Sequence, residues 1–155
     1  MILHEIEDKI TDKQEMIGLC DRKLKLIRAE FGYSQERMAA ALGLSKKTLL
    51  EIEKGRSSLG WTGTAALCAV FRSSEVLAST FGGDPAELTA ALALDGFVPE
   101  RHSSGGPFWT SVSDDNGWII VQNIISQHYR LFSPTGELVA SSFDAEELRG
   151  QIPQP

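Results

Sequence analysis

Two stretches of apolar residues at helical spacing lie near the middle of the chain, and a serine precedes each of them. Ser34 and Ser45 suit N-caps, because a serine hydroxyl accepts hydrogen bonds from the free N–H groups of a first helical turn. Gly43, between the stretches, suits the position after a helix end, where a positive φ is needed. The pattern predicts two short helices joined by a tight turn. Their buried sides would consist of Met38, Ala39, Leu42, Leu44, Leu49 and Ile52.

A cationic face remains on the second predicted helix when its apolar side is buried. Lys46 and Lys47 lie at its N-terminus, and Leu50, Glu51 and Lys54 follow on the outward side. A short helix with such a face can enter the major groove of DNA. The alternative is a helical hairpin with a solvated charged face, which does not account for the paired serine starts together with the glycine turn.

The same segment resembles the helix-turn-helix domain of the Cro and phage-repressor (XRE) family. The resemblance covers residues 17–81, about half of the chain, and implies a five-helix DNA-binding module. Gly60 and Gly63 are a departure from the family pattern. Glycines at these positions weaken the start of the helix near Trp61. The matching residues are Leu24, Arg28, Ser34, Gln35, Ala39, Gly43, Leu44, Ser45, Thr48, Leu49, Ile52, Glu53, Lys54, Gly55 and the run 67–71.

The resemblance implies DNA-contacting roles for individual residues. Lysine can donate to guanine O6 and N7, and glutamate can accept from cytosine N4. The implied base-facing residues are Lys46, Lys47 and Glu51. Phosphate contacts come from side chains and backbone N–H groups at helix ends. The implied backbone-contacting residues are Gln35, Ser45, Thr48, Lys54 and Arg56.

Two further positions acquire an interpretation from the resemblance. Arg28 and Glu53 match an ion pair that, in this family, locks the first helix to the third, so their implied role is structural. Leu50 stands where the family usually has a polar residue. Contact with a thymine methyl and simple surface exposure are both open for this leucine.

A second regularity occupies the first thirty residues. Apolar positions alternate in steps of three and four, which is heptad spacing. One long helix and two helices broken near Thr11-Asp12 both fit, and capping-box spacings at Thr11 and Asp12 favour the break. Residues 1–15 are interpreted as a helical extension whose apolar stripe either packs on the protein's own core or forms a dimer contact. The stripe consists of Leu3, Ile6 and Ile10.

The periodicity changes from helical to strand-like beyond a linker at 99–107, which is rich in Pro, Ser, Gly and His. Ahead of the linker, residues 16–82 form the predicted helix-turn-helix domain, and an extra helix capped by Asp84 occupies 83–98. Residues 108–155 predict a small antiparallel β domain with a short helix capped by Asp144, and the sequence identifies no family for it. Its predicted strands are 108–112, 118–125, 128–132 and 138–143, with a hairpin turn at Asn116-Gly117.

The strand that begins at Trp118 is apolar on both faces, with Trp118 and Ile120 on one and Ile119 and Val121 on the other. A four-stranded sheet buries only one face by itself, so the second must meet another surface. We favour a dimer interface through these four residues, since helix-turn-helix proteins commonly bind two half-sites as symmetric dimers. The alternatives are packing on the chain's own helices, a partner-protein surface, and an effector pocket lined by Trp109, Trp118 and Tyr129.

The distribution of charge decides whether DNA is a suitable partner. The chain of 155 residues carries a net charge of −6 at pH 7, but residues 21–56 hold nine basic and five acidic residues, a local charge of +4. Screening limits the reach of charges to about 8–10 Å at ordinary salt, so the local charge matters more than the total. The acidic remainder weakens non-specific binding.

Several functional classes lack support in the sequence. Cys20 and Cys68 lie in apolar helical patterns and are expected to be buried small hydrophobes. No lysine follows Lys54, which excludes a Ser–Lys self-cleaving mechanism in the C-terminal half. No enzyme motif, cofactor site or metal-type spacing is recognised. Without a membrane span or a signal peptide, a cytoplasmic location is expected.

Together these patterns predict an α+β protein, with a five-helix Cro/repressor-like helix-turn-helix domain followed by a small antiparallel β-sheet and a short C-terminal helix. The expected function is sequence-specific transcriptional regulation, with repression favoured and a homodimer bound to an inverted-repeat operator in double-stranded DNA. The alternative is a protein-interaction module, antitoxin-like or an adaptor, with a secondary role for DNA. A small-molecule effector acting through the C-terminal region is a third hypothesis.

Overall fold

The computed structural model describes residues 12–99 and 107–155, which fall into two compact units that divide between Pro99 and Glu100. The first unit is helical, and the second is an antiparallel sheet followed by one short helix. The predicted α+β fold is confirmed. The predicted dimer residues Leu3, Ile6 and Ile10 lie outside the described residues.

The described part of the helical unit contains six helices. Their bounds are α1 (Lys13–Glu30), α2 (Gln35–Leu42), α3 (Lys46–Glu53), α4 (Gly60–Val70), α5 (Glu75–Phe81) and α6 (Pro85–Ala93). The second unit contains β1 (Trp109–Asp115), β2 (Trp118–Asn123), β3 (Tyr129–Phe132), β4 (Leu138–Ser142) and α7 (Ala145–Arg149).

Local hydrogen bonds fix the turn between α2 and α3. Ser34 and Ser45 each accept, through Oγ, the backbone N–H three residues further on, at 3.1 and 3.0 Å. Gly43 follows α2 with a φ of +70°, a conformation that glycine adopts without steric cost. The N–H of Leu44 then donates to the carbonyl of Ala39 at 2.8 Å. The capped ends and the left-handed glycine set the direction of α3 relative to α2.

Asp12 caps α1, because its Oδ1 accepts the N–H of Glu15 at 2.9 Å while its own backbone is extended. This is the cap that the spacing at Asp12 predicts, although Thr11 lies outside the described residues. The helix runs without interruption from Lys13 to Glu30. The position between residues 15 and 16, where the predicted extension meets the predicted helix-turn-helix domain, therefore falls inside α1.

A single apolar core joins five of these helices. Side chains from one face of α1 form one buried cluster with those of α2, α3, α4 and α5, as the predicted spacing requires. Phe31, Tyr33 and Phe71 add an aromatic cluster with ring centroids 5.0–5.9 Å apart. The buried core residues are Met16, Cys20, Leu24, Ile27, Met38, Ala39, Leu42, Leu49, Ile52, Leu67, Cys68, Phe71 and Leu77.

Cys20 and Cys68 are free thiols with no solvent exposure. A hydrogen bond from Cys20 to Cys68, together with burial, raises the pKa of Cys20 far above that of an ordinary thiol. A protonated, buried thiol is a poor nucleophile. Cys20 therefore acts as a small apolar group, and its contact with Cys68 joins α1 to α4 in the buried core.

The sheet of the second unit has the strand order β1-β2-β3-β4, and each neighbouring pair is antiparallel. Asn116 and Gly117, with φ values of +51° and +86°, form the predicted two-residue hairpin turn. A register shift between Ser111 and Ser113 lets β1 continue to Asp115, beyond its predicted end. The side chain of Asn123 accepts two N–H groups of the following turn, so β2 ends two residues earlier than predicted.

Helix α7 covers one face of this sheet. Ile120 is fully buried with Leu131 and Leu148, and Trp118 packs on the same cluster. Ile120 therefore belongs to the core of the unit and cannot form the dimer surface for which it was a candidate. Trp109 pairs with Asn123, which places it on the face opposite Trp118. One pocket lined by Trp109, Trp118 and Tyr129 is consequently not formed.

The other face of the sheet carries apolar side chains that α7 does not cover. Ile119 is paired with Phe132, and Val121 is paired with Arg130. The guanidinium carbon of Arg130 lies 4.3 Å from the ring centroid of Trp109. We call this surface, Trp109, Ile119, Val121, Arg130, Phe132 and Leu138, the outer sheet face.

Candidate nucleic-acid interface

Helix α3 buries its apolar side and presents its cations to solvent. Leu49 and Ile52 are buried at 0% and 2% exposure and anchor the helix on α1 and α2. Lys46, Lys47 and Lys54 are exposed. The two predicted base-contacting lysines thus lie at the exposed N-terminal end of a rigidly packed helix.

An ion pair between Arg28 of α1 and Glu53 of α3 fixes α3 on α1. Arg28 Nε lies 2.6 Å from Glu53 Oε1 and Nη2 lies 3.3 Å from Oε2, so the pair is bidentate. The side chains of Arg28 and Glu53 are only 17% and 6% exposed. Arg28 also donates to the carbonyl of Tyr33 at 3.2 Å, between α1 and α2. One guanidinium therefore connects α1 and α3 with the loop that leads into α2.

Gln35 joins the same network. Its Nε2 lies 3.5 Å from Glu53 Oε2, which is a long contact for a hydrogen bond. Because Gln35 is also the first residue of α2, its backbone N–H lies at a helix N-terminus, where phosphate groups bind favourably.

Lys46 has a partner that sequence reasoning did not identify. Its Nζ lies 2.6 Å from Glu36 Oε1, and both side chains are largely exposed. The hydrogen bond from Lys46 lowers the pKa of the Glu36 carboxyl below its usual range. Since the two residues lie on different helices ten positions apart, no helical spacing indicates this pair. The predicted base contact of Lys46 would require this ion pair to open.

The remaining DNA-contacting candidates lie on α3 or next to its ends. Ser45 Oγ lies 2.9 Å from Thr48 Oγ1, so these hydroxyls are oriented by each other as well as by the N-cap. Arg56 Nη1 is 3.8 Å from Glu51 Oε1, a weak contact at the other end of α3. Leu50 is half-buried beside them.

Arg37 is a cation near this surface that the sequence reasoning did not select. Its guanidinium carbon lies 4.0 Å from the ring centroid of Tyr33, a cation–π contact at the start of α2. The spacing of four residues between Tyr33 and Arg37 is the signal that could have indicated the contact.

Replacing Glu36 by glutamine is expected to strengthen DNA binding roughly two- to fivefold, because an exposed ion pair no longer competes for Lys46. Fluorescence anisotropy with a labelled duplex measures the change. Glu87→Gln is the control, since it removes the same charge from an exposed position on α6. Equal effects of the two substitutions would show that the Glu36–Lys46 contact does not restrain binding.

The arrangement of α2, the glycine turn and α3 defines a helix-turn-helix domain, as the sequence predicts. A helix-turn-helix domain family model matches residues 22–81, which is less than half of the chain. An uncharacterized HTH-type transcriptional regulator, YgzD of Bacillus subtilis (strain 168), is 48% identical over 33 residues, which are 21% of this chain and 50% of that protein. The chain thus spans about half the length of the curated relative it matches. No solved structure matched the chain.

Residues 12–99 and 107–155 contain neither a metal-type cluster nor a membrane-spanning helix. No group of three or more His, Cys, Asp or Glu side chains in these ranges could hold a metal ion. None of the helices in the same ranges is both long and apolar enough to cross a membrane.

Proposed function

We propose that this protein is a sequence-specific DNA-binding transcriptional regulator, without enzymatic activity, that represses by binding an inverted-repeat operator as a homodimer. Lys46, Lys47 and Glu51 read base edges in the major groove. The residues that hold the backbone are Gln35, Ser45, Thr48, Lys54 and Arg56. Repression requires only that the bound protein exclude polymerase from the same DNA, whereas activation needs a further contact surface.

The observation that carries this proposal is the exposed lysine pair at the start of α3, on a helix fixed by the Arg28–Glu53 ion pair. Base readout needs side chains that project from a rigid element, because a loosely held helix loses entropy when it binds. The match of residues 22–81 to a helix-turn-helix family supports the same function. The local charge of +4 over residues 21–56 favours the phosphate backbone.

Selection from a random duplex library with the purified full-length chain tests the function. We expect enrichment of an inverted repeat whose half-sites are about 10 base pairs apart, centre to centre. Enrichment of a single half-site would contradict the homodimer but would agree with sequence-specific DNA binding. A library without any enriched sequence would contradict the proposed function itself.

The outer sheet face supports the homodimer part of the proposal. Ile119 is 36% exposed and Leu138 is 52% exposed, so apolar side chains face solvent beside the half-buried Val121 and Phe132. Contiguous apolar surface of this kind usually marks an interaction site. A second copy is the simplest occupant for a protein that binds a two-fold symmetric site.

Replacing Ile119 by lysine is expected to weaken self-association about tenfold or more, because the charge would be desolvated at the centre of the interface. Sedimentation equilibrium of the full-length chain measures the dissociation constant. Ile125→Lys is the control, since Ile125 is 71% exposed in the turn after β2, outside the outer sheet face. Equal dissociation constants for both variants would place the dimer contact elsewhere.

A protein-interaction module remains the second candidate, since the same apolar face suits a different protein as well. In that case the wild-type chain would be monomeric at all concentrations, and only a partner would bury Ile119. The sedimentation experiment on the wild-type chain therefore also distinguishes the two candidates.

A further inference from the structure

A second basic surface lies beside the C-terminal end of α3. Here α1 and α3 enclose a cleft of about 310 Å³. Three of its residues are exposed cations, two from α1 and one from the end of α3. The lining residues that matter here are Asp21, Arg22, Lys25, Glu53 and Lys54.

The two carboxylates in this cleft already have partners. Asp21 Oδ1 accepts the backbone N–H of Leu59 at 2.8 Å. Glu53 holds the bidentate ion pair with Arg28. Neither acid forms an ion pair with Arg22, Lys25 or Lys54 within the described residues. The cations are therefore available to an anion from outside the chain.

The C-terminal end of α3 repels an anion less strongly than an uncapped helix C-terminus would. The N–H of Gly55 donates to the carbonyl of Ile52 at 3.0 Å, and that of Arg56 donates to the carbonyl of Glu51 at 2.9 Å. These bonds satisfy the carbonyls of Glu51 and Ile52, which would otherwise repel an anion. The cleft thus combines positive charge with a capped helix terminus.

We infer that this cleft binds a phosphate of the DNA backbone, with Arg22 and Lys25 of α1 and Lys54 at the end of α3 as donors. The inference rests on the proposed function, since α3 in the major groove brings one backbone strand toward its C-terminal end. Phosphate contacts fix the register of a protein on the duplex and carry no sequence information. Arg22 and Lys25 thereby extend the DNA surface from the helix-turn-helix onto α1.

Lys25→Ala in the full-length chain tests the inference, with two probes: the selected operator and a 30-base-pair duplex of mixed sequence. Loss of one phosphate contact should reduce the slope of log affinity against log salt by about 0.9 on both probes. Affinity should fall by a similar factor for both, on the order of tenfold at 50 mM salt, so that specificity is unchanged. Ethylation interference on the operator should lose one phosphate relative to wild type. The double variant Arg22→Ala/Lys25→Ala should show at least the same losses.

Lys23→Ala is the matched control. Lys23 lies on the same helix but lines a different cleft, with Leu26 and Val76, between α1 and α5. Its replacement removes the same charge without removing a proposed donor. Identical slopes and ethylation patterns for Lys25→Ala and Lys23→Ala would overturn the inference and leave the proposed function intact. A wild-type chain that binds neither duplex would overturn both.

Discussion

Replacing Arg28 by methionine is expected to lower the free energy of unfolding by about 3–5 kcal/mol, the largest stability effect that we predict for an interaction outside the apolar core. The variant leaves the Glu53 carboxylate, whose side chain is 6% exposed, without its bidentate partner. It also removes the donor to the carbonyl of Tyr33. Guanidinium denaturation followed by far-UV circular dichroism measures the loss, because the helices lie mainly in the first unit.

Two further variants separate the ion pair from general effects of the substitution. Arg22→Met makes the same replacement at an exposed position of α1, and we expect its stability to match that of wild type. Arg28→Met/Glu53→Leu removes both charges, so it should lose less stability than Arg28→Met alone, since no unpaired charge is then buried. A loss below about 1 kcal/mol in Arg28→Met would show that the pair contributes no more than a surface contact.

The helix ends were predictable because their causes are local. The spacing predicts caps at Asp12, Ser34, Ser45 and Asp84, and each of these residues accepts a backbone N–H two or three residues further on. A cap depends only on a residue type and a short spacing, both of which are visible in one sequence.

Contacts between distant residues were not predictable in the same way. Glu30 accepts Ser74 Oγ at 2.5 Å and the N–H of Glu75 at 2.6 Å, and thereby ties α1 to the start of α5. The Glu36–Lys46 pair likewise depends on how α2 crosses α3. No periodicity in the sequence encodes either geometry, so the competitor for Lys46 could be found only in the structure.

The sheet contains features that the sequence predicts and features that it does not. Its strand number and first hairpin follow from alternation and from Asn116-Gly117, whereas the register shift in β1 has no clear sequence signal. Asp144 caps α7 as predicted, whereas the hydrogen bond that Ser142 Oγ donates to Glu147 Oε2, at 2.5 Å, has no such signal. Which sheet face α7 covers was equally open, since Trp118, Ile119, Ile120 and Val121 are all apolar. In the structure, α7 packs on the face that carries Ile120.

Replacing Lys47 by alanine is expected to weaken operator binding by about 1–3 kcal/mol, which is roughly 5- to 150-fold, if the lysine donates to a guanine. Lys47 is exposed at the start of α3, and no ion pair restrains it within the described residues. Its base contact therefore contributes without first breaking another bond. Competition binding with the selected operator and a mixed-sequence duplex measures both affinity and specificity.

Lys46→Ala should weaken operator binding less than Lys47→Ala, because Lys46 gives up its 2.6 Å contact with Glu36 when it turns to the DNA. Both variants should lose much less affinity for the mixed-sequence duplex than for the operator, since a base contact is specific and a phosphate contact is not. This pattern is the opposite of the uniform loss expected for Lys25→Ala. Operator affinity that is unaltered in both lysine variants would refute the placement of α3 in the major groove.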